Sequence, residues 1–306
     1  MTLNQLRTFL AVAQLGSVRA AAEHLVVSQP AVSGAVSSLE RELGVDLFER
    51  NGRGVRITPA GVTFADAART SLQHLDRGVR VVRSVEEPGR GAVRIAAIAT
   101  AAERLLIPRL AAFRREQPQA EVNVTVGNRT TVWDALRDHE VDLVVAGRPP
   151  SSLAAEVLGS ASNTLVVVGL PEYGRRSRRA TLTYLSTATW LLREDGSGTR
   201  IATDELIARL GIDPPRMVLG ANGAIEEAVA AGFGVALLPL GAIKRRLDAG
   251  TLQRIDSPGT PMERPWHLVA SSEVALAPTA ALAARSLLDA TDAFTPTTAA
   301  RRLLRL

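Results

Sequence analysis

Residues 28–61 read SQPAVSGAVSSLERELGVDLFERNGRGVRITPAG, and this stretch decides the fold of the amino-terminal part of the chain. Ser28 is a residue type that accepts a hydrogen bond from a first-turn amide, and Pro30 is tolerated there because first-turn amides have no helical acceptor. Apolar residues then recur at helical spacing until Gly44, a typical helix terminator. The glycines at positions 52 and 54 favour a tight turn. The stretch therefore predicts a helix followed by a β-hairpin.

The residues before this stretch complete a compact unit. An apolar stripe that includes Leu6 and Phe9 predicts a first helix ending at Gly16, and Ser17 is suited to begin a second, short helix. With the helix after Ser28, these elements form a helix-turn-helix, and the hairpin forms its wing. A polar-faced helix beside a basic hairpin fits the major groove of DNA, with the wing on the backbone.

Some twenty positions at fixed spacing resemble the LysR-type transcriptional regulators. The resemblance implies a winged helix-turn-helix that binds double-stranded DNA, a linker helix that pairs two copies, and a carboxy-terminal effector domain. It also implies tetramers built as pairs of dimers. The matched residues are LRTF (6–9), AAA (20–22), Leu25, SQPAVS (28–33), LE (39–40), LG (43–44), LFER (47–50) and TPAG (58–61).

Six residues are the candidates for DNA contact. In the major groove, glutamine reads adenine, serine donates or accepts a hydrogen bond, and proline contacts a thymine methyl. Arginines of the wing contact phosphates or the minor groove. Two alternatives stand: Ser28 only caps the helix, or Arg50 pairs with Glu49 or Asp46. Gly34 departs from the family pattern, which often has a larger or basic residue there. The candidates are Ser28, Gln29, Pro30, Ser33, Arg50 and Arg53.

Composition is consistent with this interpretation and excludes other classes. The chain has 306 residues, 46% of them hydrophobic, which is enough for two or three domains. Residues 1–58 carry six arginines against five acidic residues, so bulk charge alone does not explain DNA binding. The absence of cysteine suits a reducing cytoplasm, and no apolar run approaches the roughly 20 residues of a membrane helix. We expect a soluble, cytoplasmic protein.

Residues 60–85 form one continuous helical pattern with an apolar seam, which suits pairing with a second copy. The alternative is a helix packed on its own domain. The break at residues 86–91 reads as a hinge. The seam consists of Phe64, Ala68, Ser71, Leu75, Val79 and Val82.

From residue 92 onward, apolar strand-like runs alternate with helical segments, which predicts parallel α/β sheets with crossover helices. The family resemblance implies a two-lobed effector domain like the periplasmic binding proteins. The tail after Phe294 is expected to be a solvated end. The predicted domains are 1–58 (DNA binding), 59–87 (linker helix) and 91–306 (effector), with lobe 1 at 91–160 and 266–295 and lobe 2 at 162–264.

Residues 193–200, REDGSGTR, follow a predicted strand and open a helix. The free backbone amides of the first helical turn, the hydroxyl side chains and the positive end of the helix dipole therefore lie together. That arrangement favours an anionic group, although an ordinary capped helix start is the alternative. The ends of the predicted strands of lobe 1 face this segment, because α/β sheets bind ligands there. The candidate effector-binding residues are Thr100, Asn128, Arg129, Thr130, Arg148, Ser197, Thr199 and Asn222.

The two arginines in this set point to an acidic ligand: a sugar phosphate, a nucleotide or a small organic acid. The segments GNRTTVWDAL (127–136), GRPP (147–150) and EDGSGTR (194–200) resemble the regulators of carbon fixation and of sulfur assimilation within the family. That likeness implies a phosphorylated or carboxylated effector.

Catalysis finds little support in the sequence. The four histidines are scattered, none at metal-ligand spacing, and no P-loop or nucleophile elbow occurs. We therefore predict no catalytic residues, metal or cofactor, and a regulator rather than an enzyme. The rival hypothesis is an anion-binding or catalytic α/β protein whose amino-terminal domain only mediates assembly. A DNA architectural protein without a sensor is disfavoured by the length of the second domain. The histidines are His24, His74, His139 and His267.

Overall fold

The structure is a computed structural model that describes residues 1–52, 54–86, 88–173, 178–289 and 294–304. The chain divides into two compact units, Met1–Val82 and Arg83–Leu306. Among the described residues, no helix has both the length and the apolar character needed to cross a membrane.

The first unit is a helix-turn-helix with a wing and the start of a long helix. Ser17 and Ser28 each accept a first-turn amide hydrogen bond, and Gly16 and Gly44 close helices in the left-handed conformation, as the sequence predicts. Thr2 caps the first helix in the same way. The elements are α1 (Leu3–Leu15), α2 (Val18–Leu25), α3 (Gln29–Leu43), β1 (Phe48–Asn51), β2 (Gly54–Ile57) and α4 (Pro59–Glu86).

Two apolar clusters, both packed against Phe48, join these elements. The ring of Phe9 lies 5.4 Å from that of Phe48 in the wing and 5.3 Å from that of Phe64 on α4. Glu40 ties α3 to the wing, because its carboxylate accepts hydrogen bonds from the amides of Leu47 (2.9 Å) and Phe48 (3.2 Å). The wing is therefore held at a set position beside the carboxyl end of α3.

Helix α4 divides along its length. Its first half packs on the unit itself, with Ala68 and Leu72 buried in the same core as Phe9. Further along, Leu75, Val79 and Val82 are exposed. The alternative of a helix packed on its own domain thus holds for the first half, and pairing with a second copy stays a prediction for the exposed residues. The helix is continuous to Glu86, and the predicted end of the linker, residue 87, lies outside the described residues.

In the described part of the second unit, lobe 1 is built on a six-stranded sheet, and lobe 2 on a four-stranded and a two-stranded sheet, each lobe with its own helices. Short 3₁₀ turns occupy Pro88–Arg90 and Pro171–Tyr173, and Ala102–Leu106 is a π-helical turn. Lobe 1 contains β3 (Ala92–Ile98), α5 (Ala99–Ala101), α6 (Ile107–Glu116), β4 (Glu121–Gly127), α7 (Arg129–Arg137), β5 (Leu143–Ala146) and β6 (Ala155–Ala161). Lobe 2 contains β7 (Thr164–Gly169), α8 (Arg178–Thr187), β8 (Trp190–Leu192), α9 (Gly198–Leu210), β9 (Arg216–Val218), α10 (Asn222–Ala230), β10 (Ala236–Pro239), α11 (Leu240–Asp248), β11 (Gln253–Arg254) and β12 (Met262–Glu263). The chain returns to lobe 1 with β13 (Trp266–Ser271), α12 (Pro278–Asp289), β14 (Thr295–Pro296) and α13 (Thr298–Leu304).

The sheets are mixed, which corrects the prediction of parallel sheets. In lobe 1 the order is β14-β6-β13-β5-β3-β4, and only β3, β4 and β5 run parallel. Strand β13 arrives from lobe 2 and enters the sheet from the opposite end, so it pairs antiparallel with β5 and β6. In lobe 2, β7 pairs antiparallel with β10, β11 and β12, whereas β8 and β9 are parallel. The direction of a strand in these sheets depends on where the chain enters the sheet after crossing between the lobes, and the local sequence pattern does not determine it.

The carboxy-terminal tail is also different from the prediction of a solvated end. Strand β14 pairs with β6, and Ala300 and Leu304 on α13 are buried. Arg301 and Arg302 are exposed, as a solvated face requires. The tail thus covers an edge of the lobe 1 sheet that would otherwise leave backbone groups unpaired.

Candidate functional site

The start of α3 presents a polar surface. Val32, Val36 and Leu39 are buried, which turns the opposite side of the helix to solvent. Four predicted DNA-contact residues lie on this exposed side or at its first turn. Ser28 also caps the helix, since its Oγ accepts a hydrogen bond from the Ala31 amide at 3.4 Å. Capping leaves a hydroxyl hydrogen for another acceptor. These four residues are Ser28, Gln29, Pro30 and Ser33.

The wing carries the other two candidates. Glu49 pairs with Arg56 across the hairpin, with Arg56 Nη2 2.6 Å from the carboxylate. Arg50 is exposed and lies opposite Val55 in the register, and the ion pairs among the described residues do not include it. The alternative pairing of Arg50 with Glu49 is therefore not what the structure has. Arg53 lies outside the described residues.

A cavity of about 680 Å³ lies between lobe 1 and lobe 2. Its lobe 1 wall is made where the parallel strands β3, β4 and β5 end, and its lobe 2 wall includes the start of α9. Carboxyl ends of parallel strands are the usual ligand side of such sheets, because helix amino termini and loops converge there. The volume suits a small metabolite.

Six of the eight predicted effector-binding residues line this cavity. Thr100 and Ser197 are buried, so their hydroxyls are largely removed from bulk water. Asn128 caps α7, with its Oδ1 accepting the Thr131 amide at 3.0 Å. Ser197 precedes α9 without a side-chain capping bond, so its hydroxyl is not committed to the helix. The six residues are Thr100, Asn128, Arg129, Arg148, Ser197 and Thr199.

Thr130 and Asn222 are not on the cavity wall. Thr130 is exposed on the first turn of α7, where its Oγ1 lies against Gly196 of the other lobe. Asn222 follows β9, which among the described strands pairs only with β8 and so lies at the outer edge of lobe 2. The side-chain amide of Asn222 is buried without a hydrogen-bond partner among the described residues.

The loop before α9 meets the start of α7 closely. Gly196 has φ +81°, and a Cβ atom built there would lie 3.0 Å from Thr130 Oγ1 and 3.2 Å from Asn128 Nδ2. Both the left-handed conformation and the close approach require glycine. The EDGSGTR segment thus touches lobe 1 at one edge of the cavity.

Charge around the cavity is positive. Four arginines and two glutamates line it, an excess of two positive charges at neutral pH. Two of the arginines have carboxylate partners: Arg193 binds Glu194 at 2.7 Å, and Arg264 pairs with Glu205. Although burial alone raises the pKa of Glu194, the hydrogen bonds from Arg193 lower it. That carboxylate therefore stays charged and neutralises Arg193.

Arg129 and Arg148 are different. None of the ion pairs between described residues involves either guanidinium. Arg129 Nη2 instead donates to the backbone carbonyl of Arg148 at 3.0 Å, which holds the two residues next to each other. Two guanidinium groups on one cavity wall without a carboxylate partner are suited to bind a carboxylate or phosphate.

Sequence reasoning missed much of the wall. Most of the missed polar residues lie in or beside the two crossings between lobes, residues 162–163 and 264–265, where no local periodicity marks a binding site. Asn163 in the first crossing is tied to the second, since Arg264 N donates to Asn163 O (2.8 Å) and Asn163 Nδ2 donates to Arg264 O (2.9 Å). The missed polar residues of the wall are Ser151, Asn163, Glu205, Glu263, Arg264, Trp266 and His267.

Known protein families match both parts of the chain. Residues 3–62 match the family described as "Bacterial regulatory helix-turn-helix protein, lysR family", and residues 86–292 match the "LysR substrate binding domain". A "RuBisCO operon transcriptional regulator" of Allochromatium vinosum is 36% identical over 283 residues, 92% of this chain and 93% of the relative. This relative agrees with the likeness to carbon-fixation regulators.

Solved structures share the fold. Full-length CbnR in complex with its target DNA has a TM-score of 0.66 at 24% identity, covering 94% of this chain and 99% of that chain. The regulatory domain of Synechocystis PCC6803 CcmR in complex with 2-PG has a TM-score of 0.56 at 26% identity. That match covers 65% of this chain and 94% of the CcmR chain.

Proposed function

Because this chain belongs to the LysR family of DNA-binding transcriptional regulators, we propose that a small anionic metabolite binds between its lobes and changes its affinity for an operator. The observation that carries the anionic assignment is the pair Arg129 and Arg148, which line the cavity without a carboxylate partner in the described part of the chain. The start of α9 adds first-turn amides and the positive end of a helix dipole.

On the DNA side, the exposed residues at the start of α3 read bases, and Arg50 and Arg53 of the wing contact the backbone or minor groove. The net charge of residues 1–58 is close to zero, which supports binding through individual side chains positioned against the DNA rather than through overall electrostatic attraction to the phosphates. Two copies pair through the exposed apolar part of α4, and pairs of dimers contact two half-sites. We place the regulator in the cytoplasm, since its DNA partner is there, and assign it no enzymatic activity.

The metabolite acts through differential binding. A ligand held by both lobes favours one arrangement of the lobes over others. The size of the shift in population between two arrangements is set by the difference between the ligand's affinities for them. The paired domains then present their recognition helices at a different spacing. The complex of CcmR with 2-PG makes 2-PG the first compound to test on this chain.

The proposal is tested by fluorescence anisotropy of the full-length protein at fixed salt. The DNA is the region upstream of its own gene, and scrambled DNA of equal length is the comparison. Each titration is repeated with 2-PG, sugar phosphates, nucleotides and small organic acids. We expect preference for the upstream DNA and a change in its affinity with one class of anion.

A double variant identifies the site. Arg129→Gln with Arg148→Gln should remove the metabolite response, because both unpartnered guanidinium groups are lost. Arg115→Gln, an exposed arginine on α6 outside the cavity wall, is the matched control and should retain the response. No preference for upstream DNA, or turnover of a phosphorylated metabolite by the chain, would favour the rival in which the α/β unit is the working part.

A further inference from the structure

His267 occupies a junction between the lobes. It is the second residue of β13, immediately after the second crossing, and it lines the cavity. In the sheet it pairs with Ala146 of β5 and Ser160 of β6, so its backbone position is set from both sides. Its Nδ1 atom is buried and has no hydrogen-bond partner in the described part of the chain. Because Nδ1 is shielded from solvent, an anion in the cavity would contact the imidazole at Nε2, which is not buried.

The charges near His267 favour the neutral imidazole while the cavity holds no anion. Burial lowers the pKa of His267, and the positive charge of Arg148 lowers it further. Strand β13 packs against β5, β6 and α7. The charged residues of these elements and of the rest of the cavity wall are Arg148 after β5, Glu156 on β6, Arg129, Asp134 and Arg137 on α7, and Arg193, Glu205, Glu263 and Arg264.

Some of these charges are already compensated. Asp134 pairs with Arg137, and Glu205 pairs with Arg264. Glu156 lies opposite Ala270, three residues along β13 from His267. Arg148 therefore dominates the charge felt by the imidazole, in agreement with the lowered pKa of His267.

We propose that His267 is an anion-contacting residue that takes up a proton from solvent when the effector binds, so that effector binding is coupled to proton uptake. This inference rests on the anion site of the proposed function. An anion beside Arg148 screens the guanidinium charge that disfavours imidazolium. It also places an opposite charge next to the ring, and both changes favour the protonated form. When the imidazole is protonated both of its nitrogens donate, so Nε2, the nitrogen that is not buried, donates a hydrogen bond to the anion.

The sign of the pH dependence follows from this order of pKa values. In the bound state the pKa of His267 is higher than in the free state. The gain in affinity is then complete below the free-state pKa and is lost as pH rises through the bound-state pKa. Affinity should fall about tenfold for each unit that separates the two pKa values.

The test uses the full chain and inorganic sulfate, which keeps the same charge throughout the titration range of histidine. Calorimetric titrations at neutral pH are run in two buffers of different ionisation enthalpy, and the difference counts the protons taken up per bound sulfate. Titrations between about pH 5.5 and about pH 8.5 give the dissociation constant, which we expect to rise about tenfold with pH.

His267→Gln should bind sulfate more weakly and without pH dependence or proton uptake. His24→Gln, which changes an exposed histidine on α2 in the other unit, is the matched control and should behave as the wild type. The buffer comparison on the wild-type chain needs no variant, so a misfolded His267→Gln protein does not decide the question.

The outcomes separate the two proposals. Sulfate binding with the same dissociation constant at all pH values and no proton uptake overturns the role of His267 and leaves the anion site intact. A pH dependence that persists in a folded His267→Gln protein also overturns it. Absence of sulfate binding at every pH overturns the anion site and the inference together.

Discussion

At the scale of single residues, two glycines of the DNA-binding unit illustrate opposite constraints. A Cβ atom at Gly34 on α3 would meet nothing within 4 Å, whereas at Gly61 it would lie 2.3 Å from the carbonyl oxygen of Leu47. Gly34 is thus free of packing constraint, and Gly61 lets α4 approach the segment that enters the wing.

The same substitution should therefore have opposite effects at these two positions. Gly34→Ala should stabilise the protein by about 1 kcal/mol, because alanine favours an exposed helix interior over glycine. Gly61→Ala should destabilise it by about 1–3 kcal/mol, because the added methyl forces α4 and the wing apart. Urea unfolding followed by circular dichroism measures both. Equal effects at the two sites would contradict the packing described here.

At the scale of elements, α3 and the wing divide DNA recognition between them. Gln29→Ala should relax specificity by about 1–3 kcal/mol at one base pair, because it removes a base contact. Arg50→Ala should weaken binding to all sequences alike and reduce the salt dependence, because it removes a phosphate or minor-groove contact. Anisotropy on operator and point-mutated operators measures both. Equal losses on operator and random DNA for both variants would contradict this division.

The second half of helix α4 carries three exposed apolar side chains of the predicted seam, Leu75, Val79 and Val82. Val79→Glu should dissociate the dimer, since an unpaired buried charge costs about 3–5 kcal/mol and raises the dissociation constant more than about a hundredfold. Thr70→Glu is the matched control, because nine residues place it half a turn around the helix from Val79. Sedimentation velocity reports the mass of each protein. A Val79→Glu protein that stays dimeric would place the interface elsewhere.

At the scale of the whole effector unit, the lobes also touch outside the cavity. Arg104 Nη2, on the π-helical turn of lobe 1, donates to the carbonyl of Ala242 on α11 of lobe 2 at 2.8 Å. This bond favours the present arrangement of the lobes. Arg104→Ala should weaken sulfate binding about fivefold, corresponding to about 1 kcal/mol.

Calorimetry on Arg104→Ala and on Arg114→Ala, an exposed arginine of α6 on lobe 1, checks this expectation. The second variant should bind sulfate as the wild type does. Unchanged affinity in the Arg104 variant would mean that sulfate binding does not depend on how the lobes are held together.

Local rules were sufficient for most elements. Caps at Ser17 and Ser28, helix terminators at Gly16 and Gly44, and apolar periodicity predicted the helix-turn-helix, because these signals act over a few residues. The alternation of strands and helices after residue 92 predicted the α/β class for the same reason. The family resemblance added the two-lobed architecture, which no local signal contains.

What the sequence determined by itself was therefore the elements, the family and the presence of arginines at strand ends. Only the tertiary structure decided which strands run antiparallel, that the tail covers β6, and that Leu75, Val79 and Val82 on α4 are exposed. It also separated Arg129 and Arg148 from the ion-paired Arg193 and Arg264, and brought His267 to the cavity. Those facts depend on contacts between residues far apart in the chain, because the two crossings bring together segments that share no local pattern.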